Sequence, residues 1–194
     1  MTNIFYHATN KKLDELLPLS KKHSGDGRVC YFTPNRAYAL FYIRDMEINH
    51  VTCGVGDNGI PVYYEQFPQQ LKIMYSGRSG YIYTLINNGE IVNGHTNGVW
   101  FSTQPIKVAS VSFVKDVYDE IIKAESVGEV QIIRYEDLSE EKKLQITEMI
   151  CISILKHKYL SNDCAKSRFM KENFPEAWNM AKEKENAMEI YPCD

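Results

Sequence analysis

An imidazole, a hydroxyl and a run of tyrosines near the start of the chain are the groups with the most chemistry to offer. His7 and Thr9 close the run Ile4-Phe5-Tyr6-His7-Ala8-Thr9, where the small Ala8 lets a ligand approach the main chain. Tyr31, Tyr38 and Tyr42 follow, and tyrosine faces can stack on a flat heteroaromatic ligand. Each also has a packing alternative, since histidines and aromatic residues in strands commonly serve the core. Lys21, Lys22 and Arg28 flank a glycine turn and could meet phosphates, although a solvated basic run reads the same way.

These groups need a strand, a turn, a second strand and a helix to hold them. Residues 4–9 are apolar, aromatic and β-branched, as a short strand is. Val29-Cys30-Tyr31-Phe32-Thr33 reads as another, entered through Gly25-Asp26-Gly27 and left through Pro34-Asn35, residues that permit tight reversal. From Asn35, a suitable N-cap, Ala37, Leu40, Phe41 and Arg44 recur at helical intervals. This order predicts His7 and Tyr31 on neighbouring strands and Tyr42 about three helical turns beyond Tyr31, the three lining one cleft.

The pattern resembles the ADP-ribosyltransferase fold, in the branch shared by diphtheria-type toxins and the poly-ADP-ribose polymerases. That family reads His-Gly-Thr or His-Gly-Ser after its first strand, where this chain has His7-Ala8-Thr9. Its second motif, Gly-x-Gly-x-Tyr-Phe-Ala before a helix with small residues and a tyrosine, is echoed by residues 25–33 and then 37–42. Ala8 replaces the glycine, Thr33 the alanine, and the interval from the second glycine to the tyrosine is longer; the resemblance covers about the first quarter of the chain.

The resemblance implies NAD as a substrate, with His7 at the ribose, Thr9 also in the binding site, and Tyr31 and Tyr42, or Tyr38 in its place, stacking on nicotinamide. It also implies a glutamate at the start of a later strand, which stabilises the oxocarbenium-like transition state as nicotinamide leaves. Glu129, behind Gly128 at the head of an expected strand, is the candidate, with an exposed strand-end carboxylate as the alternative. If the catalytic strand is instead the one holding Trp100, its opening position is Val99 and no carboxylate is present. The implied function is transfer of ADP-ribose to a protein or nucleic-acid acceptor. One alternative is a non-catalytic relative that binds a nucleotide or a partner protein. Another is an RNA 2'-phosphotransferase, for which Arg28, Arg36 and Arg44 would be the cations.

Further along, Leu13, Leu16 and Leu17 share a helical face ahead of Pro18, predicting a short helix or loop over the site. Gly54-Val55-Gly56-Asp57-Asn58-Gly59 is a literal G-x-G-x-x-G, but Ile60-Pro61-Val62-Tyr63-Tyr64 follows as a strand, so it reads as a hairpin turn and not a dinucleotide loop. Residues 76–80 lack the Gly-Lys-Ser/Thr ending of a P-loop. Short helices are expected over 67–75 and 116–124, and strands over 81–86, 98–102, 107–114 and 127–135. From about Ser139 the chain turns helical, with Leu144, Met149, Ile150, Ile152 and Leu155 as the apolar stripe and a second helical region over 164–188 broken near Pro175.

The fold class expected is therefore α+β: a mixed, mostly antiparallel split sheet with short helices over 1–136, followed by a helical segment over 137–194 packed on it as one domain. A net charge of -3 gives no footprint for non-specific nucleic-acid binding. Five cysteines without C-x-x-C spacing argue against a metal site or a disulfide framework and suit a reducing, cytoplasmic compartment. No apolar run reaches the ~20 residues of a membrane helix.

Overall fold

The structure, a computed structural model, describes residues 4–21, 27–94 and 96–190, with the backbone alone for 188–190. In chain order it runs β1 (Ile4–Thr9), β2 (Ser20–Lys21), β3 (Arg28–Phe32), α1 (Arg36–Leu40), β4 (Cys53–Val55), β5 (Pro61–Tyr64), α2 (Gln70–Tyr75) and β6 (Gly80–Ile86). It continues with β7 (Val92–Asn93), β8 (Trp100–Ser102), β9 (Ser110–Val114), α3 (Val117–Ser126), β10 (Gln131–Ile133), α4 (Glu140–Lys156), α5 (Ala165–Asn173) and α6 (Pro175–Ile190). This is an α+β fold in which every described strand register is antiparallel, with a helical C-terminal segment. The chain forms two compact units: Met1–Arg44, Val51–Tyr64 and Leu71–Ile132 make one, and Asp45–His50, Glu65–Gln70 and Ile133–Asp194 the other. The helical unit thus recruits two segments from the N-terminal half and is not delimited by a single cut at 136.

In the sheet unit, β6 alternates between two buried sides and is flanked by β1 and β9, while β3 is flanked by β2 and β8, with β7 beyond. The two sheets meet where Tyr6 and Thr33 exchange main-chain hydrogen bonds of 2.8 and 3.0 Å. Phe5, Cys30, Phe32, Tyr83 and Leu85 pack with Leu16, Ile91 and Ile106 into one core. Of the short helix or loop expected around Leu13, the structure has the loop. The Tyr83 hydroxyl takes both polar main-chain groups of Leu13, at 2.5 and 3.2 Å, and Leu16 bridges Ile106, so this segment finds its partners across the fold and not along itself. Leu16 is buried at 1% exposure and Leu17 is exposed at 41%, the alternation of an extended chain.

Asn35 does cap α1, its side chain accepting from the Tyr38 N–H at 3.0 Å. The helix ends at Leu40, and Tyr42 and Ile43 close tighter turns on Ala39 and Leu40. Phe41 then stacks on Tyr63 at 5.2 Å and meets Tyr75 edge-on at 5.7 Å, which buries the helix exit. β4 and β5 form the expected hairpin, with Gly59 at φ 78 in its turn.

In the helical unit, Ser139 caps α4, its side chain accepting from the Lys142 N–H at 3.2 Å. Its buried face, however, is Ile146, Ile150, Cys151 and Ile154, whereas Leu144, Met149 and Ile152 are 55%, 49% and 60% exposed. The helix carries apolar residues on more than one side, and α6, which packs against it, selects the 146-150-154 row. Pro175 opens α6, a position where its missing N–H costs nothing. No helix among the described residues is long and apolar enough to cross a membrane.

Candidate functional site

Beyond the Tyr6–Thr33 bridge, β1 and β3 stop pairing, and the His7 imidazole spans the gap. Its Nδ1 lies 2.9 Å from the Tyr31 carbonyl, in place of a ladder hydrogen bond. A carbonyl only accepts, so Nδ1 carries the proton and Nε2 is left as an acceptor. Burial lowers the pKa of His7 below its ordinary value, against a smaller opposing effect of the Tyr31 bond, which keeps the ring neutral at pH 7. Nε2 has no partner among the described residues and is not closed off from solvent.

Cys30 Sγ stands 3.7 Å from the same Nδ1, a pairing that would suggest a thiol nucleophile. Burial pushes its pKa up to about 12, so it stays protonated and serves packing. Thr9 lies on the His7 face of β1, two positions along, and its hydroxyl accepts from the Lys11 N–H at 3.3 Å.

The tyrosines are arranged otherwise than expected. Cys30 and Phe32 both turn toward His7, the latter with its ring 6.0 Å away, so Tyr31 between them turns its ring to the opposite face of an extended strand. His7 and Tyr31 therefore meet through the main chain and do not present two rings to one cleft. The Tyr31 hydroxyl donates to the Lys21 carbonyl at 3.1 Å. Tyr38 is buried, and the Tyr42 hydroxyl donates to its oxygen at 3.3 Å, with the rings edge to face at 5.5 Å. Arg44 covers the Tyr42 ring at 5.0 Å. Burial first, then the neighbouring Tyr42, raises the Tyr38 pKa, and the two rings pack on each other with no slot between them.

Glu129 occupies a bend after α3, its N–H bonded to the Ala124 carbonyl at 2.9 Å. The expected strand begins only at Gln131, and it lies beside β5, not β1 or β3. The Glu129 side chain is exposed and makes no hydrogen bond or ion pair with the described residues. The strand next to β3 is β8, which pairs Phe101 with Tyr31 and opens on Trp100 behind Val99, with no carboxylate. The three arginines are dispersed: Arg28 donates to the Leu19 carbonyl at 2.7 Å, Arg36 pairs with Glu120 at 3.7 Å, and Arg44 sits on Tyr42. Lys22 and Gly25, also named from the sequence, lie outside the described residues.

No protein-family model matches the chain, and no curated protein matches it.

The sequence gives no hint of a second concave site, which the helical unit provides. A cavity of about 210 Å³ is lined by Gln66, Phe67, Tyr135, Thr147, Asn173 and Phe174, with the start of α6 at its edge. Behind it, His50 Nε2 donates to Gln66 Oε1 at 2.9 Å and its ring packs against both Phe169 and Phe174, with centroids at 5.5 and 5.6 Å. The residues concerned come from five separate stretches of chain with no shared motif, so local pattern carries no signal for it.

Proposed function

We propose that the sheet unit is an ADP-ribosyltransferase-like frame that binds a nucleotide of the NAD class, and that it acts as a binding module and not as a transferase. The observation that carries the first half is the parted β1–β3 pair, where a neutral His7 offers Nε2 as an acceptor for a ribose hydroxyl beside the Thr9 hydroxyl. The second half rests on the surroundings of that histidine. Its polar neighbours are the Tyr31 carbonyl and the Cys30 thiol, the adjoining β8 opens on Trp100 behind Val99, and Glu129 stands in a bend before β10, a strand of another sheet. Cleaving the nicotinamide bond needs a carboxylate at the developing positive charge, a contribution of about 3 kcal/mol or more. Free thiols at Cys30, Cys53, Cys151 and Cys164 are in keeping with a reducing, cytoplasmic setting.

NAD at millimolar concentration should raise the melting temperature by mass action, and His7→Ala should remove that rise. Nicotinamide release from NAD should stay at the uncatalysed rate with cell extract present as a source of acceptors. Release that falls about a hundredfold in Glu129→Gln would instead make the chain an enzyme and Glu129 its carboxylate. No thermal shift with NAD would remove the nucleotide reading altogether.

A further inference from the structure

The cavity of the helical unit has a hydrogen-bonding edge fixed by the protein itself. Gln66 Oε1 is held by His50 at 2.9 Å, so the amide is oriented with Nε2 free to donate. Asn173 Nδ2 donates to the Phe169 carbonyl at 2.9 Å, so Oδ1 is left to accept. Neither free atom has a partner among the described residues. One donor and one acceptor thus line the same space: Asn173 is fixed by a carbonyl that can only accept, and Gln66 by the His50 tautomer protonated at Nε2.

The walls set the shape. Phe67 and Phe174 are both buried and meet edge to face at 5.1 Å, and Tyr135 adds a third ring. At about 210 Å³ the cavity lies below the ~300–1,000 Å³ of sites for drug-sized ligands, which leaves room for a single substituted ring and not for a dinucleotide. Among the described residues the charged group lining the space is Glu176, an acid, and no Lys, Arg or His lines it, which disfavours a carboxylate or phosphate there.

We propose that this cavity binds a flat six-membered ring bearing an uncharged carboxamide, whose oxygen accepts from Gln66 and whose NH₂ donates to Asn173. This site is separate from the nucleotide reading of the sheet unit and does not depend on it. The ring supplies the apolar contact with Phe67, Phe174 and Tyr135, and the amide supplies the orientation.

Three probes decide it on the full chain: benzamide, benzoate of the same shape but charged, and propionamide with the amide but no ring. Side-chain amide signals of Gln66 and Asn173, followed by NMR, should shift and saturate with benzamide. Benzoate and propionamide should each bind at least about tenfold more weakly, the loss expected for a buried polar group without its partner or for a lost ring contact. Gln66→Glu, which still accepts from His50 but replaces the donor by a charged oxygen, should weaken benzamide by a factor of about 10 to 100. Benzoate binding as well as benzamide, propionamide matching it, or no saturable shift with benzamide would each overturn the proposal. Should Gln66→Glu lose its native circular dichroism, the comparison of probes on the unchanged sequence remains decisive.

Discussion

His50 predicts how the helical unit responds to acid. Its imidazole is part-buried against Phe169 and Phe174, donates from Nε2 to Gln66, and has the Lys166 cation nearby. Burial, and then the repulsion of Lys166, lowers its pKa from 6.5 to about 4, with the Gln66 bond opposing in part. The folded protein therefore holds the proton less tightly than the unfolded chain. Above pH 6.5 both states are neutral and stability is complete; as pH falls from 6.5 to about 4 only the unfolded state takes up the proton, and stability is lost over that window. At about 1.4 kcal/mol per pH unit the loss reaches roughly 3 kcal/mol. His50→Gln keeps a hydrogen-bonding group without a titration, so its denaturation midpoint should vary less between pH 7 and pH 4. Comparison with that variant also cancels the acid loss from His7, whose pKa is lowered in the same direction. An NMR titration of His50 with a midpoint near 6.5, or an equal acid slope in His50→Gln, would refute the argument that burial dominates at this position.

Two further stability predictions follow from the packing of α4. Ile154→Ala, at a fully buried position, should cost about 2–5 kcal/mol in urea denaturation, while Ile152→Ala, 60% exposed only two residues away, should stay within about 0.5 kcal/mol; the reverse order would mean that the other face of the helix is the packed one. Lys158 ends α4 with φ 54, a left-handed position, and Tyr159 N–H reaches back to the Ile154 carbonyl at 3.0 Å. Lys158→Gly should therefore raise stability by about 1 kcal/mol, and a destabilised variant in thermal melts would contradict that assignment.

What the sequence determined by itself is mostly what a few neighbouring residues can settle. Asn35 caps α1 because its side chain needs only an N–H three residues ahead. Asp57-Asn58-Gly59 turns a hairpin because the left-handed φ of Gly59 is a local property, and Pro175 divides α5 from α6 for the same kind of reason. His7, Thr9 and Tyr31 were legible as two short strands with polar tips. Their mutual geometry was not, because it depends on where β1 and β3 cease to pair, and a period of two turns the Tyr31 ring away from the histidine that its carbonyl binds. The same holds where long-range partners compete with local periodicity. Leu13 and Leu16 share a helical spacing, yet Tyr83 and Ile106 take their main-chain groups; α4 offers more than one apolar row, and α6 chooses between them. The cavity of the helical unit is the extreme case: Gln66 and Asn173 acquire a defined donor and acceptor only through His50 and the Phe169 carbonyl, and the amide side chains alone would allow either orientation.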